Sequence, residues 1–151
     1  MIWIINNFLF NSPVFCRINN IFFTKGDNNE TYGPLPSISP LFGSLSLDYV
    51  KNDLTIKAIY KFSDSKDPSE YSIGGEDGLD ETPYSIGQNG LKNFLGTPNW
   101  SDFSIYASKK ISSNSTLRLG ITNIFDIHYR TFASGISAPC RSLEAGLNLK
   151  L

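Results

Sequence analysis

Residues 101–151 read SDFSIYASKKISSNSTLRLGITNIFDIHYRTFASGISAPCRSLEAGLNLKL. In the final run, Leu143, Ala145, Leu147, Leu149 and Leu151 occupy one side of a period of two. Glu144, Gly146, Asn148 and Lys150 occupy the other. Successive side chains of a strand point to opposite faces, so this run predicts a strand over 141–151. One face of it is wholly apolar. Such a face is foreign to a strand bathed in water. It is expected of a strand with lipid on one side and a watery lumen on the other.

The same rhythm recurs upstream. Residues 100–110 set Phe103, Ile105 and Ala107 against Ser104, Tyr106 and Ser108, and 116–127 set Leu117, Leu119 and Ile121 against Arg118, Gly120 and Thr122. Leu45, Leu47 and Tyr49 alternate with Ser44, Ser46 and Asp48. After Lys51, Asn52 and Asp53, Leu54, Ile56, Ala58, Tyr60 and Phe62 alternate with Thr55, Lys57, Ile59 and Lys61. A turn between two such runs reads as a hairpin. Strands are therefore expected near 14–24, 42–50, 54–63, 99–110, 116–128 and 141–151, with a further one at 2–10. The fold class is all-β, an antiparallel up-and-down meander of about 6–7 strands. Such a sheet is open, with two free edges and no long helix.

The connections alternate in length. Short turns near 11–13, 51–53 and 111–115 interleave with longer connections at 25–41, 63–99 and 131–139. Membrane barrels keep short turns at one rim and long loops at the other. Tyr49, Phe62, Trp100, Phe103, Phe125 and Tyr129 gather near strand ends, where interfacial aromatic girdles sit.

Several stretches resemble the C-terminal end of TonB-dependent outer-membrane receptors: GTPNW (96–100), GITNIFDIHYR (120–130), SGISAP (134–139) and the closing alternation. PLPSISPLFGSLSLDY (34–49) and FFTKGDNNETYG (22–33) fit the same family. The resemblance covers residues 20–151 and departs from the family pattern at Cys140, where Gly is usual, and at Leu151, where an aromatic is usual. It implies that residues 1–151 are a partial C-terminal barrel segment, with 1–20 assigned least. It implies a wall of an active-transport receptor for large scarce ligands, of the siderophore, cobalamin or glycan class, in the bacterial outer membrane. The family's plug and most of its barrel of about 22 strands are not represented, so the chain is expected to be a fragment that does not function alone. Its partners would be outer-membrane lipid, the plug and the remaining strands. A TonB-type energy-coupling protein would be reached only through the N-terminal part. The transported ligand is unknown.

Composition narrows the alternatives. Thirteen basic and fourteen acidic residues leave a net charge of -1, which gives no sign of a nucleic-acid partner. No run of about 18 apolar residues supplies a membrane-spanning helix, and the N-terminal MIWIINNFLF lacks the basic start and small-residue cleavage site of a signal peptide. An export signal is expected upstream. Cys16 and Cys140 are read as two unrelated thiols rather than a bridge.

No catalytic, cofactor or metal set is assigned, and the chain is read as not an enzyme. His128 is the only histidine and is read as structural. Glu76, Asp77, Asp80 and Glu81 lie in a glycine-rich loop without the spacing of a calcium loop and are read as a solvated face. Gly74–Gly75 and Gly87–Gly90 lack phosphate-loop spacing and are read as loop flexibility. Sequons at Asn29, Asn99 and Asn114 have no role in a bacterial protein. Arg130 and Arg141 are read as bonding to loop carboxylates. Asp48, Lys57, Lys61, Arg118, Glu144 and Lys150 would line the lumen, paired across strands. The alternative architecture is a self-contained small β-barrel or sheet module that binds an apolar ligand or a protein. The uncovered apolar face predicts a chain that is insoluble without detergent.

Overall fold

The computed structural model describes residues 8–9, 14–25, 27–28, 33–72 and 77–150 of the 151-residue chain. The expected strand at 2–10 and residue 151 of the last strand fall largely or wholly outside these residues. Seven strands build one antiparallel sheet: β1 (Phe8–Leu9), β2 (Val14–Phe22), β5 (Phe42–Lys51), β6 (Leu54–Ser63), β9 (Trp100–Ser112), β10 (Ser115–Thr122) and β11 (Ser142–Leu149), in that spatial order. Two small hairpins lie in the connections, β3 (Asp27–Asn28) with β4 (Gly33–Pro34) and β7 (Tyr84–Ile86) with β8 (Lys92–Phe94). Sequence neighbours within the large sheet are spatial neighbours, as a meander requires. Among the described residues β1 and β11 are not paired to each other, so the sheet is open.

The register carries one polarity across the whole sheet. Residues directly opposite in an antiparallel pair share a face. Leu147 faces Leu117, which faces Lys109. Ala145, Leu119, Ala107, Ile56 and Tyr49 form one cross-strand row, and Leu143, Ile121, Ile105, Ala58 and Leu47 form the next. The opposite face carries Asp48 beside Lys57, Ser46 beside Ile59, Tyr106 beside Gly120, and Glu144 beside Gly120. The alternation read from each strand singly is therefore in phase over β5 to β11.

Burial is inverted relative to a protein in water. Leu143 is 82% exposed and Leu147 57%, while Ser46, Ser104 and Asp102 on the other face are 2%, 4% and 6% exposed. Tyr71 alone among described apolar residues is buried. A one-sided soluble sheet packs its apolar face and wets its polar one. Among the described residues no second layer packs on the apolar face.

Asn52 closes the β5–β6 turn with positive φ, 52°, and Ser113–Asn114 close β9–β10. Both turns lie at one end of the sheet. The described residues of the connections β2–β5, β6–β9 and β10–β11 lie at the other. Two expectations change. The strand expected over 116–128 stops at Thr122, because Asn123 is left-handed (φ 48°) and its side chain binds the backbone that follows. The second concerns the long connection 63–99, whose Gly87–Gly90 are read from sequence as loop flexibility. It contains the β7–β8 hairpin and two short 3-10 turns, Pro68–Glu70 and Leu79–Glu81. Gly87 and Gly90 form the hairpin turn, with Gly90 N–H donating to Gly87 O at 2.9 Å and Gly90 at φ 75°.

Candidate functional site

The long-loop end holds the described chemistry that is not strand ladder. Lys66 Nζ lies 3.3 Å from Asp77 Oδ2, with side chains only 4% and 1% exposed. The ammonium also donates to Ile38 O at 2.7 Å and sits 4.7 Å and 4.3 Å from the ring centres of Tyr71 and Phe132. Asp77 accepts from the Ser37 and Ser72 amides as well. One ion pair thereby ties the 35–41 segment, the β6–β9 connection and the β10–β11 connection together. Burial opposes the ionisation of Asp77, but the two amides and the Lys66 ammonium outweigh it and hold its pKa below the ordinary carboxylate value. A depressed folded pKa adds stability above the unfolded value, and that stability is lost as pH falls through the folded value. The tie should therefore hold at neutral pH and loosen below about pH 4. Relative to the intrinsic exchange rate at each pH, amide protection over 64–72 and 77–83 should fall on acidification through the carboxylate range, more than protection in β9.

A backbone pair locks the same region. Lys66 and Thr97 exchange N–H···O bonds of 2.9 and 3.0 Å, and Tyr71 Oη lies 2.6 Å from Thr97 Oγ1. Gly96 makes this approach possible. It has φ 78°, and a Cβ there would lie 2.1 Å from Lys66 O. Gly96→Ala is expected to part the Lys66–Thr97 pair and expose the loop to trypsin, at a cost of about 2 kcal/mol or more. Unchanged cleavage at Lys66 would contradict this.

The β10–β11 connection is tied by Asn123. Its Nδ2 donates to Ile127 O (2.9 Å) and Pro139 O (3.0 Å), its Oδ1 accepts from Ile127 N–H (2.9 Å), and its own N–H donates to Ser104 Oγ (3.3 Å). Trp100 and Tyr129 stack at 4.1 Å and 18°. Trp100 lies opposite Ser63, on the polar face. Being three residues from Phe103, it has the opposite parity and lies at the mouth, not in an outer girdle. Of the other residues read as girdle, Tyr49, Phe62 and Phe103 lie on the apolar face, and Phe125 packs on Phe103 with ring centres 6.3 Å apart.

Between the two connections lies a cavity of about 450 Å³, lined by Asp77, Glu81, Tyr84, Thr97, His128, Tyr129, Arg130 and Thr131 among others. Its lining sets Glu81, His128, Arg130 and the hydroxyls of Tyr84, Thr97, Tyr129 and Thr131 beside apolar surface. Asp77, Glu81, His128 and Arg130, distant in sequence, meet here. Asp80 is exposed outside the lining, and Glu76 and Gly74–Gly75 lie outside the described residues. Asp77 is not on a solvated face, since it is the buried partner of Lys66. Sequence reading missed Lys66, because a lone lysine in a polar loop carries no periodic signal.

Arg130 Nε donates to Ser137 Oγ at 3.3 Å. The Arg141 amide donates to Asp126 Oδ1 at 2.7 Å and its guanidinium to Ile124 O at 3.5 Å. The guanidinium groups thus bind a hydroxyl and a carbonyl rather than carboxylates. On the lumen side Lys57 pairs with Asp48 at 3.6 Å, directly across β5 and β6. Among the described residues the only other ion pair is Lys66–Asp77, so Lys61, Arg118, Glu144 and Lys150 lack the expected charge partners. Cys140 is a free, exposed thiol. Among the described residues no group of three His, Cys, Asp or Glu side chains is placed to hold a metal.

No protein-family model matches the sequence, and no curated protein matches it. Among solved structures, the copper transporter OprC aligns with TM-score 0.71 at 16% identity, over 95% of this chain and 21% of that one. The ferric enterobactin receptor PfeA of Pseudomonas aeruginosa aligns with TM-score 0.63 at 18% identity, over 95% of this chain and 21% of its own. At this identity the likeness establishes the fold alone: the sheet has the arrangement of a stretch of the β-barrel of these structures. The chain spans about a fifth of the length of either structure.

Proposed function

We propose that this chain forms part of the wall of an outer-membrane active-transport receptor for large scarce ligands, of the siderophore, cobalamin or glycan class. One observation supports this reading above all: an apolar face that stays in phase over β5 to β11, with Leu47, Tyr60, Leu119, Leu143, Leu147 and Leu149 exposed on it, while Ser46, Asp102 and Ser104 on the other face are shielded. Such a sheet is stable with hydrocarbon on its apolar side. In the complete assembly further strands would pair with β1 and β11, and a plug would fill the lumen against Asp48, Lys57, Lys61, Arg118 and Glu144. The chain itself does no chemistry on its ligand. A TonB-type partner would be reached through parts outside this chain.

The self-contained small barrel is the second reading. Closure would need β1 against β11, and the described strand order leaves both as edges. The test is fractionation. Expressed in a Gram-negative host behind an export signal, the chain should sediment with outer membranes and resist carbonate extraction. A soluble, monomeric periplasmic protein would overturn the proposal and favour the small module.

A further inference from the structure

Following the register along the apolar face leaves two residues that do not belong to it. Among the described strand residues, the only charges on that face are Lys51 and Lys109. The other positions on β5 and β9 are Gly43, Leu45, Leu47 and Tyr49, and Ser101, Phe103, Ile105, Ala107 and Ile111. On β6, β10 and β11 no charge occurs on this face. Leu54 pairs with Lys51 on one side and with Lys109 on the other, so the two lysines stand in one row, two strands apart. Strands lie about 4.8 Å apart, which puts their Cα atoms about 10 Å apart.

Both lie toward the end closed by the short turns, Lys51 at the β5–β6 turn itself and Lys109 four residues before the β9–β10 turn. Both are exposed, and neither makes an ion pair among the described residues. Asp53, in the adjoining turn, is the acid next to them in sequence. It meets neighbouring Lys110 through its backbone, with Lys110 N–H donating to Asp53 O at 2.9 Å. A charge on a hydrocarbon-facing surface is costly near the midplane and mild near the interface. Lysine lessens the cost by laying its stem on apolar surface and sending the ammonium to the boundary.

We infer that Lys51 and Lys109 form a docking site for the phosphate groups of membrane glycerophospholipids, in the leaflet that meets the short turns. The inference rests on the membrane reading above. Charge complementarity selects the occupant: two unpaired cations, two strand spacings or about 10 Å apart, at the rim of a surface otherwise fit for acyl chains. A polybasic rim residue gains about fivefold in binding to an anionic surface at moderate salt.

The test uses the full chain with vesicles of phosphatidylcholine, with and without phosphatidylglycerol. Wild type should partition more strongly when phosphatidylglycerol is present. The K51Q/K109Q double variant should lose about thirtyfold of that preference, while K57Q/K61Q, which removes the same charge from the polar face, should keep it. Equal preference in the two double variants overturns the docking site and leaves the membrane reading standing. A wild-type chain that enters neither vesicle overturns both. Solid-state NMR gives a second measure that does not depend on affinity. Dephasing of lysine ¹⁵Nζ by lipid ³¹P should be present in wild type, diminished in K51Q/K109Q and retained in K57Q/K61Q. Cross-links between two copies at Leu54 and Lys109, in place of phosphorus contact, would assign the face to a second chain and overturn the site.

Discussion

Leu147→Arg is expected to abolish most membrane partition of the chain, while Asn148→Arg leaves it nearly intact. The two positions are adjacent on β11 and both exposed, so exposure alone does not separate them. The register does. Leu147 is opposite Leu117 and flanked by Ala145 and Leu149 on the apolar face, whereas Asn148 is opposite Thr116 on the polar face. An arginine facing hydrocarbon near the midplane costs about 2–4 kcal/mol, and the same residue facing the lumen costs little. In partition that is a loss of about thirtyfold to nearly a thousandfold. The readout is the vesicle-bound, protease-resistant fraction of each variant. Equal losses would show that the face assignment is wrong.

The second large effect lies in the loops. Lys66→Met or Asp77→Asn should each open the 64–99 connection, because removing one member of a buried pair strands the other. Such losses run to about 3–5 kcal/mol. Lys66→Met leaves Asp77 with two amide donors but no cation, and Asp77→Asn leaves an ammonium among Ile38 O, Tyr71 and Phe132. A Lys66→Met/Asp77→Leu double variant should lose less than the sum of the single changes, since no uncompensated charge remains. Hydrogen exchange over 64–72 and 77–83 measures each opening, with β9 as internal reference. Single variants that exchange like wild type would show that the pair does not hold the loops.

The strands were legible because period two is a local signal and repeats. Leu54 to Phe62 announces its face without knowledge of any partner. Register followed from the same pattern, since a slip of one residue would turn Leu147 to the lumen and Asn148 to lipid. The loops were not legible, because their order is held by single contacts between distant residues. Nothing near Asp77 announces Lys66, and β7 and β8 are three residues each, too short to show a period. The resembled motifs were read without their reason, and the structure supplies it. Gly96 of GTPNW admits the Lys66 carbonyl, Asn123 of GITNIFD binds Pro139 of SGISAP, and Trp100 stacks on Tyr129 of IHYR. These motifs are partners of one another across the loop end. Thr122 ended its strand early for the same reason, because Asn123 is engaged in that knot rather than in the ladder.

The central claim is that one face of β11 meets hydrocarbon and the other a watery lumen. The most direct measurement is a nitroxide scan of residues 143–149 in the vesicle-bound chain, with Cys16 and Cys140 changed to Ser. Labels at Leu143, Ala145, Leu147 and Leu149 should be relaxed by oxygen and shielded from a water-soluble nickel chelate, and labels at Glu144, Gly146 and Asn148 should show the reverse. A scan without a period of two, or with the period inverted, would contradict the account.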